Sequence, residues 1–213
     1  VAVKVLPIDR STPEAVAACH REIRAQAQLD HANLVRALDA GHDGNVHYLV
    51  TEYVPGIDLR RLIRRDGPLD VRAAAGVVAQ AALGLDHAHA KGLIHRDVKP
   101  GNLLVTDEGH VKVSDLGLVG FFDDNLQTDP RYGKIVGTAD YLSPEQISEP
   151  SKISVISDVY SLGCTLYYAV TGKVPFPGGT TGDKCRAHCQ LQPLDPRRLN
   201  SALDAEFVDV IAH

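Results

Sequence analysis

The first six residues alternate, with Val1, Val3 and Val5 on one side and Ala2, Lys4 and Leu6 on the other. A period of two predicts a strand, and it sets Ala2 and Lys4 on one face. Pro7 breaks the run. Thr12-Pro13-Glu14 then supplies an N-cap, a first-turn proline and an acid at the positive end of a helix. Val16, Cys19, Ile23 and Ala27 recur at helical spacing, with Glu22 beside that apolar stripe. Gly41 to Asn45 is turn-rich. Val46 to Val54 is dense in β-branched and aromatic residues, which predicts a strand that runs into a connector at Pro55-Gly56.

From about Leu69 the chain turns Ala-rich, and Ala74, Val77, Val78, Ala81, Leu85 and Ala88 mark one face of a long helix that Gly92 can end. Leu103 to Val105 and His110 to Ser114 read as two short strands joined by a turn at Asp107 to Gly109. Phe121 to Gly137 is polar and aperiodic, so a long surface loop is expected. Val155 to Val170 is apolar nearly all round and predicts a helix buried on every side. Thr180 to Gln190 and Asp204 to Ala212 predict two more helices. The order gives a small strand-and-helix lobe, a connector at Pro55-Gly56, and a larger, mainly helical lobe.

The chain has 213 residues, 44% of them apolar and 23% charged, which fits one globular unit and excludes disordered or fibrous classes. A formal net charge of −5 argues against a surface built to neutralise nucleic acid or an acidic membrane, so any phosphate must be met locally. No apolar run is long enough to span a bilayer. Four scattered cysteines fit reduced thiols in a cytosolic setting better than a secreted disulfide framework. There is no Met, and the chain opens inside a patterned segment, so it is read as a piece of a longer protein, truncated at both ends.

The chemistry concentrates in His95-Arg96-Asp97-Val98-Lys99-Pro100-Gly101-Asn102, between the long helix and the hairpin. Asp97 can accept a proton from a hydroxyl, Lys99 can hold an anion beside it, and Asn102 can offer oxygen to a hard cation. This spacing resembles the catalytic loop of the protein kinases. Asp115-Leu116-Gly117 resembles the family's Asp-Phe-Gly, with Leu keeping the middle position apolar. Val1-Ala2-Val3-Lys4 resembles the strand whose Lys holds the α- and β-phosphates, and Ser143-Pro144-Glu145 is a variant of Ala-Pro-Glu.

The resemblance implies an α+β, bilobal kinase-like fold. Residues 1–54 would be the remnant of a small β-rich N-lobe lacking its first two strands, and 55–213 the hinge and C-lobe. It implies Asp97 as catalytic base, Lys99 and Lys4 as charge-balancing cations, Glu22 as the partner of Lys4, and Asn102 and Asp115 as metal ligands. ATP would lie against Ala2, Lys4, the Thr51 gatekeeper, the Glu52 and Val54 backbones, and Leu104 as floor. Gly137-Thr138-Ala139-Asp140-Tyr141, with Lys99, points to Ser/Thr rather than Tyr acceptors. Arg96 would grip an activation-segment phosphate, with Thr128 the leading phosphosite and Tyr132 and Thr138 behind it. Asp158 is expected to anchor the catalytic loop, and Glu145 to pair with an Arg beyond His213.

The activity implied is transfer of the γ-phosphoryl of ATP, with Mg2+ or alternatively Mn2+, to Ser/Thr hydroxyls of proteins, by a bacterial kinase of eukaryotic type. No nucleic-acid partner is expected, and the location would be cytoplasmic, or the cytoplasmic domain of a membrane-anchored parent. The Gly-rich loop that covers the phosphates would precede Val1. A pseudokinase or scaffold is the alternative if that loop is absent, and a small-molecule kinase of related fold is disfavoured by Thr138 and Ser143-Pro144-Glu145. A zinc site at Cys185, His188 and Cys189 is the rival constellation, but it lacks a second pair of ligands.

Overall fold

A computed structural model describes residues 1–6, 26–44, 46–116 and 139–212. Three strands, β1 (Ala2–Leu6), β2 (Ala37–Asp43) and β3 (Val46–Thr51), form an antiparallel sheet in the order β1-β3-β2. Ala2 pairs with Thr51 and Lys4 with Leu49, so the expected shared face of Ala2 and Lys4 lies across the middle of β3. The predicted strand from Val46 stops at Thr51 rather than Val54, because the chain leaves the ladder there to cross into the next lobe. Gly41 to Asp43, read as turn, belongs to β2. Gly41 lies over the Tyr48 ring, where a Cβ would come 2.6 Å from the hydroxyl oxygen, so the strand is compatible with Gly at this point.

The connector itself contains structure that the sequence did not signal. Strand β4 (Gly56–Asp58) pairs with β5 (Leu103–Thr106), which pairs with β6 (Val111–Val113), giving a second antiparallel sheet. Helix α1 (Leu59–Asp66) follows directly, capped by Asp58, whose carboxylate accepts from Arg61 N–H, and it buries Leu59 and Ile63. Helix α2 (Val71–Ala90) starts at an Asp70 cap and ends in a Schellman turn. There Gly92, at φ 78°, donates to His89 O, and Leu93 N–H donates to Ala88 O. Its buried stripe is Ala74, Val77, Ala81, Gly84, Leu85 and Ala88, with Val78 only half-buried.

Beyond residue 138, α3 (Pro144–Ser148), α4 (Val155–Thr171), α5 (Thr181–Gln190) and α6 (Ala205–Ala212) complete the larger lobe. The core gathers Leu59, Leu85, Val98, Leu103, Val113 and Leu166 between α2, α4 and the second sheet. Helix α4 is not buried on every side as its apolar pattern implied. Ile156 and Val159 are 63% and 53% exposed, whereas Asp158, Ser161 and Thr165 are buried. The polar face turns inward because each polar group finds a partner: Ser157 Oγ donates to Glu145 and Ser161 Oγ to Tyr141 O. Among the described residues no helix is long and apolar enough to cross a membrane. The expected helix around residues 12–27 and the loop at 121–137 lie essentially outside the described residues.

The two lobes are tied by the segment at 33–35. Val35 N–H donates to Val113 O and Val113 N–H to Asn33 O, while Asn33 Nδ2 reaches Val111 O at 2.8 Å. Gln80 on α2 accepts from Asn33 and from Val111 N–H, which locks the same segment onto the long helix.

Candidate active site

Between the sheets lies a cavity of about 380 Å³, lined by Ala2, Lys4, Thr51, Glu52, Val54 and Leu104, and on its far side by Ser114, Asp115 and Leu116. All six residues expected around a nucleotide therefore meet one space. The Glu52 carboxylate is engaged by other groups: its Oε1 accepts from Arg36 N–H at 2.9 Å and from Lys112 Nζ at 2.8 Å. Burial opposes ionisation of Glu52, but those two donors outweigh it and hold the carboxyl below its ordinary range. The Glu52 N–H is bonded to Arg36 O. Among the described residues, the Glu52 carbonyl and the Val54 N–H have no hydrogen-bond partner, so the backbone edge facing the cavity is open.

The turn after α2 presents the reactive loop. His95 is fully buried and bonds through both ring nitrogens: Nε2 lies 2.9 Å from Ser114 O, and Nδ1 lies 3.2 Å from Asp97 N. A carbonyl only accepts and a peptide N–H only donates, which fixes the ring as the Nε2–H tautomer. His95 thus orients the loop. Arg96 follows at φ 67°, a left-handed conformation that a non-glycine residue holds only where surroundings impose it. Here Asp158 imposes it: Oδ2 accepts from His95 N–H and Oδ1 from Arg96 N–H, both at 2.8 Å, and His89 Nε2 adds a third contact at 2.7 Å. In the sequence His89 reads as a bystander on a helix face, because nothing local connects it to a residue on α4. Gln146 Nε2 also holds Arg96 O.

Asp97 then projects its carboxylate with only 14% of the side chain exposed. Its Oδ2 takes Lys99 Nζ and Asn102 Nδ2, the latter at 3.2 Å, while Asn102 Nδ2 also holds Asp97 O at 2.8 Å. This turns the Asn102 amide nitrogen toward Asp97 and leaves its Oδ1 without a hydrogen bond among the described residues. Ser114 N–H and Oγ both donate to Asn102 O, so the turn carrying Asn102 and the strand end carrying Asp115 are stitched together. Asp115 itself sits at φ 62°, and its Oδ1 meets Lys4 Nζ at 2.8 Å across the cavity. Asn102 oxygen and the second Asp115 oxygen are hard donors on joined segments, a set that fits a small divalent cation.

Glu22, Thr128, Tyr132 and Thr138 lie outside the described residues. The partner of Lys4 among the described residues is Asp115. Arg96 Nε is buried without a hydrogen bond, an unspent donor suited to an anion. Glu145 accepts the Ser157 hydroxyl. Burial opposes its ionisation, but this bond and its own N–H hold the carboxyl below the ordinary range. The zinc reading fails, since no group of three His, Cys, Asp or Glu side chains among the described residues converges to hold a metal. His188 instead packs between Tyr160 and Phe176, with Nδ1 2.7 Å from the Tyr160 hydroxyl oxygen. Asp140, just after the undescribed segment, pairs with Lys184 on α5 at 2.6 Å.

The protein kinase domain family model matches residues 1–210. The serine/threonine-protein kinase PknB of Mycolicibacterium smegmatis is 37% identical over 216 residues, covering 99% of this chain and 34% of the relative. PknB of Mycobacterium tuberculosis matches with the same identity and coverage. The chain spans about a third of the length of these curated relatives. The crystal structure of Rad53 1–466 in complex with AMP-PNP is similar with a TM-score of 0.78 at 25% identity, over 99% of this chain and 52% of that one.

Proposed function

The chain belongs to the protein kinase domain family, and from that premise we propose that it carries the catalytic machinery of a serine/threonine protein kinase, moving the γ-phosphoryl of MgATP to a Ser or Thr hydroxyl of a protein. The observation that carries the reading is the convergence at one cavity: Asp97 held by Lys99 and Asn102, and Lys4 meeting Asp115 across the space from the open Glu52 and Val54 backbone. The names of the relatives support the Ser/Thr assignment, as does Lys99 two residues after Asp97. Residues 1–54 act in this reading as the small lobe and 55–213 as hinge and large lobe.

Each group then has a role. Asp97 Oδ2 is occupied by Lys99 and Asn102, so Oδ1 is the atom that orients the acceptor hydroxyl and takes its proton. Lys99 offsets negative charge beside the transferring group, and Lys4 does so for the phosphates that stay behind. The Glu52 carbonyl and Val54 N–H pair with the base, with Ala2 and Leu104 above and below it. Asn102 and Asp115 would hold the divalent cation, which supplies charge neutralisation of the phosphate oxygens; Mg2+ is the ion proposed. Arg96, with its buried and unpaired Nε, is assigned to an anion from the activation segment, with Thr128 as the proposed phosphosite. The proposed site of action is the cytoplasm, where ATP is supplied, either for a cytoplasmic protein or for the cytoplasmic domain of a membrane-anchored parent.

A thermal-shift titration with ATP, with and without Mg2+, and radiolabelled transfer by wild type and Asp97→Asn test the proposal. ATP at about 100 times its Kd stabilises by about 2.7 kcal/mol, and this is expected only with the cation present. Asp97→Asn is expected to keep that shift and lose transfer by about 1,000-fold or more. Transfer that survives the substitution removes the assigned roles.

A further inference from the structure

Helix α1 carries Arg60, Arg61, Arg64 and Arg65 within eight residues, against one aspartate, and all four are exposed. This local excess stands on a chain of formal net charge −5. Two of the four are neutralised where they stand: Arg61 Nε lies 3.2 Å from Asp58 Oδ2 and Arg65 Nη2 2.7 Å from Asp66 Oδ2. Arg60 and Arg64 are one turn apart on the same row, and neither has a carboxylate partner among the described residues.

Their position separates this row from an ordinary solvated face. A Cβ on Gly101 would lie 3.9 Å from Arg60 Cζ and Nη2. Gly101 precedes Asn102, whose amide nitrogen holds Asp97, so Arg60 lies beside the loop that presents Asp97. On the other flank, burial pushes the Tyr141 phenol up, and the Arg60 charge is close enough to pull against it. Arg60 is thus near both the turn that carries Asn102 and the Tyr141 ring.

We infer that the Arg60–Arg64 row is a docking surface for acidic peptide, so that the protein substrates carry Asp or Glu beside the acceptor Ser or Thr. The inference rests on the kinase reading above for the acceptor, but the docking surface itself rests on α1. A guanidinium fork matches a carboxylate in bidentate geometry, and two unpaired forks one turn apart select a run of acids over a single one. A lipid surface fits less well: a membrane-lying helix needs an outward apolar face, and the apolar residues Leu59 and Ile63 of α1 are buried in the core.

The test uses three peptides that share one Thr and differ only in flanking Asp, Ala or Lys. Fluorescence anisotropy reads binding and radiolabelled ATP reads transfer, for wild type and for Arg60→Glu/Arg64→Glu. The Asp peptide is expected to have a Kd about tenfold lower and a kcat/KM about tenfold higher than the Ala peptide, less so as salt is added, and the double variant is expected to invert the order in favour of Lys. Each preference is a ratio within one preparation, so a change in active fraction cancels. An unchanged ratio in the double variant, or binding of none of the peptides, overturns the inference. So does arginine-dependent binding to phosphatidylglycerol/phosphatidylcholine vesicles with a flat peptide ratio. Failure of the kinase reading has another signature: no label on any peptide while the charge-dependent binding ratios persist, which keeps the acidic docking surface and removes the transfer.

Discussion

Asp158→Asn isolates the device that holds the reactive loop. Asp158 is 1% exposed, and its two oxygens receive His95 N–H, Arg96 N–H and His89 Nε2 within 2.7 to 2.8 Å. Asparagine keeps the volume and one oxygen but replaces the other with an NH2 that faces donors. If the amide oxygen takes Arg96 N–H, the amide nitrogen confronts His95 N–H and the His89 ring; if it flips, Arg96 N–H is orphaned instead. An orphaned buried donor costs about 1–3 kcal/mol, and a lost bond to an ionised group about 1.5–3. The sum spans about 2.5–6 kcal/mol; its middle, about 4, lies in the range for breaking a buried charged network and is a large share of the ~5–15 kcal/mol that stabilises a domain. Urea unfolding followed by two probes should show the midpoint falling by about 1–2 M at unchanged slope. Because Arg96 holds a left-handed conformation only under this tether, kcat should also fall by about 100-fold at temperatures where the variant is folded. His89→Ala should cost about 1 kcal/mol alone and couple strongly to the Asp158 substitution. A loss below about 1 kcal/mol with kcat intact would refute the account and assign the loop's position to the His95–Ser114 bond instead.

Three further outcomes follow from particular contacts. Burial, aided by nearby Lys184 and opposed by Asp140, holds His188 below its ordinary value; the unfolded chain therefore binds more protons than the folded one below pH ~6.5, and this stability is complete above that pH and lost as pH falls through the folded value. Thermal melts from pH 7.5 to 5 should show a decline that His188→Gln flattens, and equal slopes in both proteins would count against it. Lys184→Met leaves Asp140, 13% exposed, without its partner at 2.6 Å, at a cost of about 3 kcal/mol, while Asp140→Asn/Lys184→Met recovers much of it; additive urea midpoints would exclude the coupling. Gly84→Ala should gain about 1 kcal/mol by helix propensity alone, yet the new Cβ would lie 2.6 Å from Asn33 O in the segment that ties the lobes, so a net loss is expected and a raised Tm would sink the packing argument.

Elements with a local signal are legible in the sequence: β1, α2, the β5–β6 hairpin and α5 arise where the alternation, the caps and the turn residues stand. Strand β4 and helix α1 are not, because three residues of strand and one arginine-rich octamer have little stability alone and exist through pairing with β5 and burial of Leu59 and Ile63. The burial of α4 departs from its pattern for a related reason: Ile156 and Val159 read as core residues yet face outward, while Ser157 and Ser161 turn in because Glu145 and Tyr141 O meet them from elsewhere in the chain. The site follows the same rule. Asp97, Lys99 and Asn102 are legible because their chemistry sits within one short loop, whereas His89 reaches Asp158 across 69 residues and Gln26 reaches Leu116 O across 90.

Lys4 shows what this difference means for function. Its side chain is 46% exposed and that of Asp115 35%, so their pair is worth at most about 1 kcal/mol. A contact that weak can be exchanged for a phosphate or another carboxylate at little cost. The buried bonds of Asp158 cannot be exchanged so cheaply, since each leaves an unsolvated donor behind. The loop that presents Asp97 is thus fixed by enclosed hydrogen bonds, while Lys4 and Asp115 meet through a contact open enough to be remade when a ligand enters.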